Sequence, residues 1–407
     1  MNFNLANYFG NSLIENNENY STNYAEGVKI ILYTVLSFVL AFWAAPILIK
    51  LLKWLRFWKK TSRTTDAMGN ALLVTKEFYL EDEADKKVPR AGGILIWSVV
   101  VVIALTFWFV FKLDSDNTLF QFLNFIDRRS TWIPLGALVF SAILGLIDDT
   151  LATLESGGNY HAGGLALKQR VMVIAFLGLL IGSWLHFKLT AGDQSNFLHK
   201  ITIPFIQDGK WLKFDLTTIS PAFTIPLFDF IVPAGWALIP ITIITILSAW
   251  GGSVIDGFDG LAAGCFIPMY IAFAGIALYD NQYKMATFIM VTVGAMLAYL
   301  WYNIAPAKFY MGDTGSTSLL VTIAVIAILL NRIWLLPIAG IMIYITAGSN
   351  IIQLSSKKFL KRKVFRAAPI HHHFESGGLS RQSITMRYWV VSIVFSMLAL
   401  ALGIIIK

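Results

Sequence analysis

The sequence predicts an all-α polytopic membrane protein: about ten transmembrane helices, N-out and C-out, with a small external β-hairpin. Three observations carry this expectation. Hydrophobic residues make up 57% of the chain and charged residues 14%, against roughly 45–50% and 25% in soluble domains. Apolar runs of roughly twenty residues, enough to cross about 30 Å of hydrocarbon, recur along the whole length. Lys and Arg fall mostly on one set of connecting loops, as the positive-inside rule requires.

Taken in order, residues 1–27 hold acids and many Asn but no Lys or Arg. A secretory signal needs a basic start, so this segment reads as an external polar tail. Residues 28–407 read as a single integral-membrane catalytic domain, with no solenoid repeat and no Gly/Ser linker. The apolar runs lie near 28–52, 91–111, 132–149, 168–189, 233–251, 261–279, 285–304, 316–331, 333–354 and 386–406. They are too long and too uniformly apolar for barrel strands. Between the fourth and fifth, "ITIPFIQDGKWLKFDL" carries short apolar runs around Asp208-Gly209 and predicts a hairpin against the outer surface. With the N-terminus outside, about 21 of the 32 Lys and Arg fall inside, chiefly near 53–90 and 356–385. The net charge of +8 is then a matter of basic cytoplasmic loops, not of nucleic acid. A single cysteine, Cys265, excludes a disulfide framework.

Four polar segments fall at inner helix ends. "GLIDDT" closes the third span with Asp148 and Asp149, acids that must be hydrated, paired or metal-bound at that depth. In "GGSVIDGFDGLAAG", Asp256 and Asp259 are three apart, the spacing of one helical face. In "YNIAPAKFYMGDTGS", Asp313 sits between two glycines, Thr314 or Ser316 offers a helix cap, and Phe309 and Tyr310 offer stacking surfaces or interfacial anchors. "KKFLKRKVFRAAPIHHHFESGGLSRQ" joins a basic run suited to anionic lipid with His371, His372 and His373. Consecutive side chains diverge by about 100° on a helix and alternate on a strand, so the three histidines do not close on one zinc. They suit phosphate contact or proton transfer better.

Five carboxylates on one face repel one another unless a hard cation intervenes. Magnesium takes oxygen ligands and bridges acids to phosphates. Carboxylates, Mg2+ and a basic, histidine-bearing rim together point to phosphoryl transfer from a diphosphate, with one substrate a lipid.

In order and spacing, "DD" at 148–149, "DGFDGLAAG" at 256–264, "YMGDTGS" at 310–316 and "FRAAPIHHHFE" at 365–375 resemble the polyprenyl-phosphate N-acetylhexosamine-1-phosphate transferases. "PIHHHFE" is similar to the muramoyl branch of that family, and the resemblance covers spans two to ten. It implies transfer of phospho-N-acetylmuramoyl-pentapeptide from its UDP conjugate to undecaprenyl phosphate, giving lipid I and UMP for peptidoglycan. It also implies a bacterial cytoplasmic membrane, an active site on the cytoplasmic face, Mg2+ and a homodimer. Residue by residue, it implies that Asp148 and Asp149 lie beside the lipid phosphate, with Asp148 preparing it. Asp313 becomes the main metal ligand, joined by Asp148 and Asp149. Asp256 and Asp259 shape the nucleotide and metal region, Asn303 contacts the nucleotide, and Tyr310 stacks on uracil. His371, His372 and His373 line the diphosphate, with His371 a catalytic candidate.

The pattern departs from the family in places. Its DDxxK lysine is Ala152 here, and an Asn before DGxDG is Ser253. A later lysine position reads Arg170, two residues after Lys168, and both are expected to bind substrate. Lys86, Lys87 or Arg90 is expected to supply missing charge. "VPRAGG" at 88–93 is closer to enzymes that transfer N-acetylglucosamine-1-phosphate, the main alternative. An ion-coupled secondary transporter is the distant one, because transporter acids gather near the midplane. A non-catalytic scaffold is a third, motivated by the missing Lys and Asn.

Overall fold

The structure is a computed structural model. It describes the backbone of residues 5–58, 88–126, 130–153, 164–190, 200–207, 210–215, 223–225, 230–232 and 238–406, with side chains at 24–58, 88–126, 130–153, 164–187 and 238–406. Its helices are α1 (Leu5–Trp54), α2 (Gly93–Leu113), α3 (Thr118–Leu123), α4 (Trp132–Thr153), α5 (Leu167–Thr190), α6 (Leu238–Trp250), α7 (Leu261–Tyr279), α8 (Tyr283–Asn303), α9 (Gly312–Leu329), α10 (Leu336–Ala339), α11 (Ile341–Phe359), α12 (Ile370–Glu375) and α13 (Arg381–Ile405). Helix α1 is continuous from Leu5, so most of the expected polar tail is helical. Between α5 and α6, β1 (Lys200–Gln207) pairs antiparallel with β2 (Lys210–Asp215), in the register Ile206 to Trp211. A shorter pair, β3 (Phe223–Ile225) and β4 (Phe230–Val232), follows.

Among the described residues, nine helices are long and apolar enough to cross a membrane. The ninth expected span, 333–354, is corrected in form: it is not one straight helix but a pair of helical pieces, α10 and α11, bent by 84° at a break. Gly340 breaks the helix, with ψ at 29°, and Pro337 lies in the first turn of α10. The break leaves the Ala339 carbonyl without its helical donor, and Ser396 Oγ on α13 donates to it at 3.1 Å.

Helix α9 is the axis of the bundle. In its most apolar window 89% of residues are buried, against 28% in α1 and α13, which face outward. Lipid tails give no hydrophobic drive between helices, so small residues that let backbones touch must hold such a core. A Cβ added at Gly145 of α4 would lie 2.2 Å from the Asp313 carbonyl oxygen, and one at Gly93 of α2 would lie 2.2 Å from Gly315 Cα. The buried hydroxyls of Ser318 and Thr322 donate to carbonyls of α9 itself.

All four motif segments meet at one end of this bundle. Helices α1, α4 and α8 finish there, while α2, α5, α7, α9 and α13 start there. The start of α1 and the end of α13 lie away from these segments.

Candidate active site

The site is organised around the first turn of α9. Gly312 adopts φ +72°, a left-handed conformation open to glycine, and turns the incoming loop into the helix. A helix start leaves N–H groups without intrahelical acceptors, and here acids from two other segments take them. Asp149 Oδ1 accepts from Asp313 N–H at 3.1 Å and its Oδ2 from Thr314 N–H at 3.0 Å. Asp256 Oδ2 accepts from Gly312 N–H at 3.1 Å. Thr314 Oγ1 donates to the Ala142 carbonyl at 2.8 Å, which ties α9 to α4.

Asp148 and Asp313 face each other across Arg170. The guanidinium reaches Asp148 Oδ2 at 2.7 Å and Asp313 Oδ2 at 3.0 Å. Its Nε donates to the Leu165 carbonyl at 3.0 Å, and Asp148 Oδ1 accepts from Leu165 N–H at 2.6 Å. Gly145, Asp148, Leu165, Arg170, Trp250, Asp313 and Thr317 line a small crevice at this point. Asp148 and Asp149 are buried, while Asp313 keeps 30% of its side chain exposed and is the acid open to a ligand.

Asp256 lies just beyond the sixth helix in the turn after the 3-10 segment Gly251–Ile255. Burial, and then the negative charge of Asp313, push its pKa up to about 7, with the nearby charge of Arg90 opposing. Arg90 also anchors its strand-like segment: its N–H donates to the Phe57 carbonyl, while Tyr310 N–H donates to Pro89 and Gly92 N–H to Tyr310. The "VPRAGG" segment thus lies directly along the loop before α9.

Asp259 and Asn303 serve the neighbouring loops. Asp259 Oδ2 accepts from Ala307 N–H at 2.9 Å. Asn303 is buried, its Oδ1 accepting from Gly260 N–H and its Nδ2 donating to the Phe309 carbonyl. Its amide is committed to joining two loops, not to the expected nucleotide contact. Phe309 is fully buried against Tyr299, ring centroids 4.9 Å apart, which removes it as a stacking surface. Tyr310 is half-buried beside it, and Lys168 is exposed on the first turn of α5. Lys86 and Lys87 lie outside the described residues.

The three histidines fall on α12 and do three different things. His371 is buried, and neither ring nitrogen has a hydrogen-bond partner among the described residues. Its ring packs edge-on to Phe258 and beside the His372 ring, and a Cβ at Gly257 would meet its Nε2 at 2.5 Å. Burial, and then His372, drive its pKa down to about 3, so it is neutral. His372 Nδ1 lies 2.7 Å from Glu375 Oε2, and Arg381 Nε donates to Glu375 Oε1 at 2.6 Å. Burial raises the Glu375 pKa, but those two partners outweigh it and hold the carboxyl below its usual range. His373 Nδ1 accepts from Arg366 N–H at 3.2 Å.

Sequence reasoning passed over the residues that hold this loop. Gln353 of α11 accepts from Val364 and Phe365 N–H and donates to the Phe365 carbonyl, while Ser349 Oγ accepts from Ile370 N–H. Ser349, Gln353 and Ser356 recur at helical spacing on an otherwise apolar helix, a signal that was legible. Trp389, whose Nε1 donates to the Gly260 carbonyl at 3.0 Å, left no such signal.

The donor set suits a hard divalent cation. Four carboxylates meet two arginines here, and Arg170 bridges two adjacent acids that would otherwise repel. Among the described residues no three His, Cys, Asp or Glu form a ready metal cage. Magnesium needs none, since it commonly binds one or two carboxylates and completes its shell with water and phosphate.

Comparison with known proteins gives concordant results. The profile described as glycosyl transferase family 4 matches residues 131–331. A phospho-N-acetylmuramoyl-pentapeptide-transferase of Listeria welshimeri is 30% identical over 318 residues, 77% of this chain and 86% of that protein. Proteins of the same description from Geobacillus kaustophilus and Methylacidiphilum infernorum are 29% and 28% identical, over 91% and 81% of this chain and 97% and 82% of their own lengths.

Proposed function

Given that the chain belongs to the phospho-N-acetylmuramoyl-pentapeptide transferases of glycosyl transferase family 4, and is thereby a multi-pass membrane phospho-sugar transferase, we propose its specific reaction. It moves phospho-N-acetylmuramoyl-pentapeptide from the UDP-linked donor to undecaprenyl phosphate, forming lipid I and releasing UMP. The observation that carries this reading is Arg170 between Asp148 and Asp313, at a crevice where one helix start and two acid-bearing segments converge.

Asp313 and Asp148 are the residues to hold magnesium. When bound, that ion would offset charge between two anionic substrates and on the departing UMP. Asp149, with both oxygens on backbone N–H groups, fixes where Asp313 points. Arg170, held by Asp148 and Asp313, lies where its guanidinium would also reach a substrate phosphate. Asp256, raised to about 7, is poised to hold or give up a proton near neutral pH. His372, held by Glu375, supplies a hydrogen bond to the diphosphate from the rim, and buried, neutral His371 packs beneath it and positions its ring.

Positive charge gathers in the loops on the acid side, near 53–90 and 356–385, which supports a cytoplasmic active site with both termini outside. In a bacterium that membrane is the inner one. The test is UMP release by purified protein with undecaprenyl phosphate, comparing UDP-N-acetylmuramoyl-pentapeptide with UDP-N-acetylglucosamine, each with magnesium or with EDTA. Preference for the second donor would transfer the reading to the N-acetylglucosamine branch, which "VPRAGG" beside Tyr310 favours. No UMP from either would refute both.

A further inference from the structure

At the membrane side opposite the acids, the ends of four helices enclose a cavity of about 670 Å³. Trp108, Phe111 and Lys112 come from the end of α2, Trp132 and Ile133 from the start of α4, Trp184 from the end of α5 and Lys284 from the start of α8. This is the size of a pocket for a small organic molecule, far above that for an ion or a few waters. Its walls are aromatic, with Trp108 and Trp132 edge to face at 5.6 Å. Among the described residues, the charged side chains lining it are two exposed lysines.

Tryptophan at a span end marks the headgroup level, where one side of the ring is wet and the other apolar. A pocket at that level with aromatic walls and two ammonium groups matches one chemistry: a phosphodiester with a glycerol and the upper part of an acyl chain. We propose that this cavity binds an anionic phospholipid, with Lys112 and Lys284 on the phosphate and Trp108, Trp132 and Trp184 around the glycerol and acyl chain. The site is separated from the catalytic acids by the length of α4 and does not depend on the reaction assigned above.

The test is native mass spectrometry of the full chain, released from micelles containing equal amounts of phosphatidylglycerol and phosphatidylcholine. The expected result is retained phosphatidylglycerol in preference to phosphatidylcholine. Basic residues near a membrane surface each favour anionic lipid enough that the Lys112→Ala, Lys284→Ala double variant should retain it about thirty-fold more weakly. Lys112→Arg with Lys284→Arg should keep it, as should Lys357→Ala with Lys358→Ala at the other membrane side. Circular dichroism melting of each variant distinguishes a folded protein that lacks lipid from an unfolded one. Equal retention of both lipids, equal retention by the double variant, or displacement of the lipid by millimolar inorganic phosphate would overturn the proposal.

Discussion

Arg170 and Asp313, 143 residues apart in sequence, meet at 3.0 Å, and the same guanidinium holds Asp148 at 2.7 Å. One arginine therefore joins α5 to both α4 and α9. Arg170→Met leaves two facing carboxylates uncompensated and should lower UMP release roughly hundred-fold or more. Arg170→Lys should restore only part, since an ammonium cannot span two acids as a guanidinium does. Magnesium should raise the melting temperature of Arg170→Met by more than that of the wild type, because the ion then relieves the repulsion. Steady-state kinetics and thermal melts in detergent measure both.

The left-handed turn at Gly312 sets the direction of Asp313. A side chain there costs roughly 1–2 kcal/mol of backbone strain, and its Cβ would lie 2.4 Å from Asp149 Oδ2. Gly312→Ala should lower both the melting temperature and the rate of UMP release. Gly136→Ala, on α4 where a Cβ meets nothing within 4 Å, should change neither.

Losing the Asp149 cap acts on stability directly. Asp149→Ala frees the N–H groups of Asp313 and Thr314 and should cost about 0.5–2 kcal/mol. Asp149→Asn keeps one acceptor oxygen and should cost less. Chemical denaturation of the two variants side by side gives the ranking, and an Asn variant as unstable as the Ala variant would exclude capping as the cause.

His371 ties stability to pH. Its pKa of about 3 in the folded protein lies below the ordinary value near 6.5. The unfolded chain therefore binds a proton in that interval while the folded protein does not. Stability is intact above pH 6.5 and declines as pH falls from there toward 3. At pH 5 the contribution is on the order of 1–2 kcal/mol. His371→Leu should flatten the melting-temperature profile between pH 7 and 5 while reducing activity. Parallel profiles for the two proteins would rule out His371 as the titrating group.

Gln353 makes three backbone hydrogen bonds to the segment leading to the histidines. Gln353→Leu should loosen α12 and raise KM for the sugar nucleotide by roughly ten-fold, with a smaller change in melting temperature. Glu375→Gln, which weakens the clamp on His372 and Arg381, should act in the same direction.

Much of this architecture was legible because lipid imposes simple rules. Length and apolarity identified nine spans. The motif spacing marked Asp148, Asp256 and Asp313 as a set, since an acid at a span end needs a reason to be there. Sequence reasoning read 333–354 as one span because an apolar run does not report its own direction. The 84° bend at Gly340 comes from a helix break stabilised by Ser396, a residue on another helix. Asn303 looked like a nucleotide contact because a side-chain amide is equally suited to a ligand or to two backbone groups.

The sequence by itself determined the membrane class and the four acid- and histidine-bearing segments that meet, because these depend on composition and local spacing. Only the tertiary structure decided the division of labour among those residues. Asp149 became a cap, Arg170 a bridge, Asp313 the open acid and His371 a buried neutral ring. Chemically identical groups take different roles when burial and partners differ, and partners 56 to 165 positions apart are set by packing.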